Sequence, residues 1–273
     1  MSSKTYVVAW DEVMPTSIDI SNQLSAANLE YLVFDVSTNP EPKPNWVVAE
    51  KVRYYGHFYN SLVDFAKTDH EVFIWNAGDV SGPLQADLTV KVEQSMAKDE
   101  DIWLMAPAMI NDDPTGIMTM IGKSIKHYKF ILSLHLNGLW VAFRRELALF
   151  MLDFYEWMLL HKYMDFYKMI SGHCLDTVYA AWTMYSNKKI YRDTAFTLTC
   201  GTTSSHDGTT SNLDCEIIKE KFADYVYSLG YSKSKIWGIY ENIYNKFRDA
   251  PNEGWPIDRV YPNLHEYKGR FIP

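Results

Sequence analysis

Three apolar runs of the chain each end in a short polar cluster. Tyr6 to Trp10 leads into Asp11 and Glu12, Tyr31 to Val36 carries Asp35 at its end with Ser37 beyond, and Val72 to Trp75 runs into Asn76-Ala77-Gly78-Asp79. Carboxylates and a carboxamide gathered at strand ends accept hydrogen bonds from hydroxyl or amide ligands, and carboxylate oxygens are hard ligands for a divalent cation. Four further features can do chemistry. Asp176 lies in Cys174-Leu175-Asp176-Thr177 at the start of a helical pattern, and His206 lies in the hydroxyl-rich loop Thr197 to Thr210. Arg53 precedes Tyr54-Tyr55-Gly56, and Lys123, Lys126 and Lys129 recur every three residues beside His127, Tyr128 and Phe130. Each also has a plain structural reading. Asp35 and Asp79 suit turns, Asp176 a helix cap, Trp10 rim packing, and His206, Arg53 and the lysine stripe a solvated surface.

The elements that position these residues follow from periodicity. The first half alternates strand-like runs with helical patterns: Thr16 and Asp19 resemble a capping box before Ile20, Leu24 and Ala27, and Phe58, Leu62, Phe65 and Ala66 share one helix face. Trp46-Val47-Val48 is a short strand after the Pro-rich connection Asn39 to Pro44. This β-α-β alternation predicts a parallel, doubly wound sheet, whose ligand crevice lies beyond the carboxyl ends of the strands. The polar clusters then face one crevice. In the second half, Pro83 to Ala97 reads as a helix, Ile102 to Ala106 as a strand and Asn111 to Gly116 as a turn. Phe130 to Leu136 and Leu139 to Phe143 flank Asn137-Gly138, which predicts a hairpin. Amphipathic helices are marked by Leu147, Phe150, Met151, Phe154 and Met158 and by Leu175, Val178, Tyr179 and Trp182. The strand Lys189 to Arg192 follows, with helical patterns at Asn212 to Leu229 and Ser232 to Phe247.

Composition narrows the function classes. A chain of 273 residues, 47% hydrophobic and 15% aromatic, can bury a real core and is not disordered. Its net charge of -8 argues against bulk attraction to a polyanion, so any nucleic-acid contact depends on a local basic stripe. Three cysteines without ligand spacing favour a reducing, cytoplasmic setting. The greasiest stretch, Leu139 to Met164, is interrupted by Arg144, Arg145, Glu146, Asp153 and Glu156, which speaks against a membrane span. Gly-rich dinucleotide and phosphate-binding loops are absent from the sequence, so those nucleotide classes lose their main support.

The order of these motifs over roughly residues 4 to 210 resembles the GT-A glycosyltransferases that use nucleotide sugars. The resemblance rests on the strand ending in Asp11 and Glu12, the string Tyr54 to Asn60 before Val72 to Trp75, and Asn76 to Val80 where the family carries its D-x-D metal motif. It also rests on Gly138 to Glu146, similar to a strand-to-helix element near the acceptor, and on Asp176 where many inverting members have a carboxylate pair. Two departures stand out: the D-x-D position reads Asn-x-Gly-Asp, and the acidic pair is reduced to Asp176.

What the resemblance implies is an α/β fold, a GT-A-like, Rossmann-like mixed sheet flanked by helices. A glycosyltransferase domain would span 1–211, with a nucleotide-binding half of about 1–100 and an acceptor half of about 101–211, and 212–273 would form a C-terminal helical extension. Its activity would be transfer from a nucleoside-diphosphate sugar, UDP-linked by default. Trp10, Asp11, Glu12, Asp35, Arg53 and Asn76 would meet the donor, and Asp79 with His206 would hold a divalent metal. An imidazole ligand favours Mn²⁺ over Mg²⁺. Asp176 would be the general base, and Lys123, Lys126, Lys129 and Arg144 would meet the acceptor. The acceptor is a glycan, a protein, or a hydroxymethylated pyrimidine of viral DNA, as in the similar tailed-phage enzymes. The missing carboxylates motivate a second reading, a GT-A domain that binds nucleotide, glycan or protein without turnover.

Overall fold

The computed structural model describes residues 1–50, 54–82, 84–111, 130–132, 140–163, 175–200 and 208–238. The chain begins with β1 (Ser3–Ala9), a short 3₁₀ turn (Asp11–Val13), α1 (Met14–Ala26), β2 (Glu30–Asp35), β3 (Trp46–Val48), α2 (Tyr54–Ala66) and β4 (Val72–Asn76). It continues through β5 (Val80–Ser81), α3 (Gln85–Lys98), β6 (Ile102–Asn111), β7 (Phe130–Leu132) and β8 (Trp140–Arg144). Helices α4 (Arg145–Leu160) and α5 (Leu175–Tyr185), strand β9 (Lys189–Cys200) and α6 (Gly208–Ser228) complete the main elements. A short helical stretch covers 233–238.

One mixed sheet runs β3-β2-β1-β4-β8-β6-β9-β5, with β7 also on β9. The β-α-β alternation does produce parallel pairing across β3, β2, β1 and β4. Strand β8 then enters antiparallel between β4 and β6. The described parts of the expected hairpin around Asn137-Gly138, Phe130–Leu132 and Trp140–Arg144, do not pair with each other. Both edges of β8 are taken by β4 and β6, while Phe130–Leu132 pairs with Tyr191 to Asp193 of β9. Short-range turn chemistry could not reveal that these two runs separate; 133–139 lies outside the described residues. Two strands outrun their expected bounds: β6 continues to Asn111, and β9 takes in Thr197 to Cys200, because these segments pair with each other in parallel.

The strands alternate between two helical layers, which is why they read as continuous apolar runs. Tyr6 and Val8, Phe73 and Trp75, and Val141 and Phe143 enter the core beneath α2, α4, α5 and α6. On the opposite face, Val7 and Ala9 join α1's Ile20 and Leu24, and Val72, Ile74, Trp140 and Ala142 join α3's Leu88, Val92 and Met96. The aromatic excess is spent mainly on the first face, where Phe58 meets Trp75 edge-on at 5.3 Å and Phe143 meets Tyr179 edge-on at 5.0 Å. Helix α6 adds Ile218, Phe222, Tyr225 and Val226 to that same core. The capping box is not formed either. Helix α1 starts at Met14 with Pro15 in its first turn, so Thr16 lies inside the helix, and Asp19 accepts a bond of 2.8 Å from Gln23 Nε2.

Strand direction sets two ends. Ala9, Asp35, Asn76 and Cys200 mark the carboxyl end, whereas Arg144, Lys189 and Ile102 mark the other. Arg144 is therefore not brought to the crevice, contrary to its expected acceptor role. Its buried guanidinium donates to the carbonyls of Ile102 (2.9 Å), Asp99 (3.0 Å) and Met96. Beside it, Lys189 pairs with Asp99 in the interior and Lys188 with Asp101 at 2.8 Å. Arg144 thus closes the carboxyl end of α3, where carbonyls lack helical partners. Replacing it by Ala strands those carbonyls and leaves a cavity, so Arg144→Ala is expected to lower unfolding free energy by about 2–4 kcal/mol in urea denaturation. Arg144→Lys, with one donor head instead of a fork, is expected to recover little of that loss.

Candidate functional site

The most constrained part of the carboxyl end is the turn between β4 and β5. Asn76 is fully buried and its Oδ1 accepts the amide of Gly78 at 3.0 Å, the local bond that lets Asn start a turn. Gly78 then has φ +86°, and a Cβ there would lie 1.8 Å from the carbonyl oxygen of Val8. Only glycine fits. The turn delivers Asp79 with a buried Oδ1 that has no hydrogen-bond partner among the described residues. Burial raises its carboxyl pKa to about 6, against a smaller opposing effect of its own backbone amide.

Asp35, at the end of β2, is 1% exposed. Its Oδ1 accepts the amide (3.0 Å) and hydroxyl (2.6 Å) of Ser37, while its buried Oδ2 has no partner among the described residues. Asp11 binds the amide and hydroxyl of Thr38 at 2.9 and 2.7 Å, tying the loop after β1 to the loop after β2. Glu12 is exposed, and Trp10 leans partly buried on the main core. Helix α5 packs on β6 and β9 and leads into Lys189 at the far end of the sheet, which places its first turn toward the crevice side. Asp176 stands in that turn, buried, with its Oδ1 accepting the amide of Thr177 at 2.7 Å.

The fold therefore gathers Trp10, Asp11, Glu12, Asp35, Asn76 and Asp79 at one end, with Asp176 on the same side. Arg53, Lys123, Lys126, Lys129 and His206 lie outside the described residues. Among the described residues no group of three or more His, Cys, Asp or Glu is arranged to hold a metal. The donor set there offers one carboxylate with an open oxygen at the turn, which fits a cation that takes most of its ligands from phosphate and water. Sequence reasoning missed two residues that shape the turn, Gly78 and Gln85. The spacing Asn-x-Gly after a strand was a legible signal for the first; nothing local pointed to the second.

No family model and no curated protein matches the sequence. Solved structures do resemble the fold. The structure of GalNAc-T7 with UDP, GalNAc and Mn²⁺ superposes with a TM-score of 0.50 at 12% identity, covering 97% of this chain and 55% of that one. This chain thus spans just over half the length of that neighbour. A glycosyltransferase involved in glycosylation of the major capsid of PBCV-1 matches with a TM-score of 0.34 at 12% identity, over 58% of this chain and 66% of the other. The CMP:2-keto-3-deoxy-manno-octonic acid synthetase complexed with CTP matches at 0.43 and 10% identity, over 82% and 100%. The mixed sheet with flanking helices is GT-A-like. Among the described residues no helix is long and apolar enough to cross a membrane.

Two substitutions test the turn. Gly78→Ala forces a Cβ into the Val8 carbonyl and an L residue into positive φ, with an expected loss of at least about 2 kcal/mol in denaturant unfolding. Asp79→Asn works in the opposite direction. A carboxyl whose folded pKa is raised contributes stability below its ordinary value near 4 and loses it as pH rises through about 6. The Asn variant is expected to be more stable than the parent at pH 7.5, on the order of 1–2 kcal/mol, and to converge with it near pH 4. Equal pH profiles of thermal unfolding would show that Asp79 is not held in this way.

Proposed function

We propose that the chain transfers a sugar from a nucleoside-diphosphate sugar, UDP-linked in the first instance, to an acceptor hydroxyl. The carrying observation is Asp79: a carboxylate delivered by a glycine-locked turn at the carboxyl end of a GT-A-like sheet, with a buried oxygen that has no hydrogen-bond partner among the described residues. Burying a carboxylate oxygen without a partner is costly unless a ligand completes it. The neighbour solved with UDP, GalNAc and Mn²⁺ supports the choice of donor and ion.

In this reading Asp35 uses its open Oδ2 to accept a ribose or base hydrogen bond, while Ser37 holds its other oxygen in place. Trp10, Asp11 and Glu12 border the donor, and the role proposed for Arg53 is to bind the diphosphate. The side chain of Asn76 holds the turn, so its contribution to the donor is indirect. A divalent cation would be held by Asp79 with His206, and it supplies neutralisation of the departing diphosphate. The imidazole of His206 is the ground for preferring Mn²⁺ to Mg²⁺. Asp176 removes the acceptor proton. The role proposed for the lysines at 123, 126 and 129 is acceptor binding, which makes hydroxymethylated DNA one acceptor to test beside glycans and proteins.

Incubation with a panel of nucleotide sugars and Mn²⁺ or Mg²⁺, read as released nucleotide, tests the reaction. Asp79→Asn is expected to lower release at least about 100-fold, since the loss falls on charge stabilisation of the leaving group. Wild-type release by that variant would remove Asp79 from the site. Cation-dependent donor binding is expected to rise between about pH 5 and 7, because the cation needs the ionised carboxylate. Asp176→Asn is expected to reduce kcat with donor KM nearly unchanged, and an equal rise in KM would argue against an acceptor base. Mass spectrometry of acceptors from the same incubations identifies the product; unmodified hydroxymethylated DNA counts against the DNA acceptor. The lone carboxylate at the turn also supports a second reading, a module that binds nucleotide without turnover, and nucleotide binding with no release from any donor would select it.

A further inference from the structure

The turn that carries Asp79 is held by carboxamides at both of its ends. Gln85, the first residue of α3, is 1% exposed. Its Oε1 accepts the indole Nε1–H of Trp140 at 3.1 Å and the Nδ2–H of Asn76 at 3.4 Å, and its Nε2 donates to the carbonyl of Val80 at 3.1 Å. Its own amide donates to Oε1 of Gln23 at 2.9 Å, and Gln23 Nε2 donates to the carbonyl of Gly82 at 3.1 Å. One side chain therefore touches the residue before the turn, the residue after it and the first residue of the central antiparallel strand, which lies at the sheet's carboxyl end.

The surroundings make this arrangement informative. Val72, Ile74, Val80, Leu88 and Trp140 form an apolar cluster beside Gln85, and burial alone would be served there by another apolar residue. A buried amide instead fixes direction, because each of its bonds is lost if the turn or the indole shifts, and a broken partner stays unsatisfied. Trp140 has a single donor, so Gln85 also decides where that ring sits.

We infer that Gln85 is the positioning residue for Asp79, coupling the turn between β4 and β5 to Trp140 on β8. The role of the held carboxylate rests on the glycosyl-transfer reading; the holding itself does not. Gln85 touches no reacting atom and acts through the turn alone.

The test uses Gln85→Leu and Gln85→Glu in the full chain. In Gln85→Leu, amide hydrogen exchange at Gly78, Asp79 and Val80 is expected to accelerate at least 10-fold, while exchange across β1 stays at the parent rate. The donor KM with Mn²⁺ is expected to rise at least 10-fold with a smaller change in kcat. Gln85→Glu keeps an acceptor for Trp140 and Asn76 but opposes the Val80 carbonyl with an oxygen, so its exchange is expected to fall between parent and Leu variant. Unchanged exchange at 78–80 in both variants would overturn the proposal. So would faster exchange spread evenly over the sheet, which is the mark of general loosening. If Gln85→Leu does not fold, Gln85→Glu decides alone, with acceleration confined to 78–80 as support and parent rates as refutation. If exchange changes as expected but the parent turns over no nucleotide sugar, the positioning role stands and the glycosyl-transfer reading falls.

Discussion

The antiparallel insertion of β8 is the constraint on which the rest of the molecule depends. Its five residues, Trp140 to Arg144, pair with β4 along one edge, and Ala142 and Phe143 pair with β6 along the other, which joins the parallel first half of the sheet to the β6–β9 pair. The strand has a polar commitment at each end. Trp140 donates to Gln85 at the carboxyl end of the sheet, and Arg144 donates to the carbonyls where α3 stops and β6 starts. Helix α3 is therefore pinned to the same strand at its first residue and at its last turn. The β4–β5 turn that carries Asp79 is tied to that first residue, Gln85, through Asn76 and Val80.

A sheet covered on both faces leaves few places for polar chemistry. Along β1, β4 and β8, both alternating sets of side chains enter apolar clusters. Polar groups can reach a ligand only beyond the strand ends, and at the carboxyl end they do so with unequal completeness. Asp11 is satisfied by Thr38, Asn76 by its turn, and Asp35 and Asp79 each keep one buried oxygen open among the described residues. These open oxygens are unfavourable for the folded chain by itself, which is the usual relation between a binding site and stability.

Much of this was readable in the residues. The apolar runs of β1, β2 and β4 with helices between them specify a parallel sheet, and that sheet specifies where Asp35, Asn76 and Asp79 must emerge. Leu147 to Met158 and Leu175 to Trp182 have the period of the helices they form. Long-range pairing was not readable. Asn137-Gly138 is a strong hairpin signal, yet the runs on either side of it pair with different strands, because β8 gains two covered edges by lying between β4 and β6. The same blindness affected the site. Gln85 looks like an ordinary first-turn residue until Trp140, 55 positions away, is placed beside it. Arg144 reads as a free cation beside an acceptor, and only the strand's direction sends it to the opposite end.

The place of β8 in the sheet also orders events during synthesis. When the first 76 residues have emerged, β1, β2, β3 and β4 can pair, but β4 still presents a bare edge of buried, apolar residues. That edge is not covered until Arg144 has been made, and β6 then waits for Lys189 to Cys200 before its other side is closed. Half the chain must therefore be held with an open sheet edge while the strand that completes it is still being made. A growing chain of this topology is most exposed to misassociation between those two points, long before the crevice has its last wall.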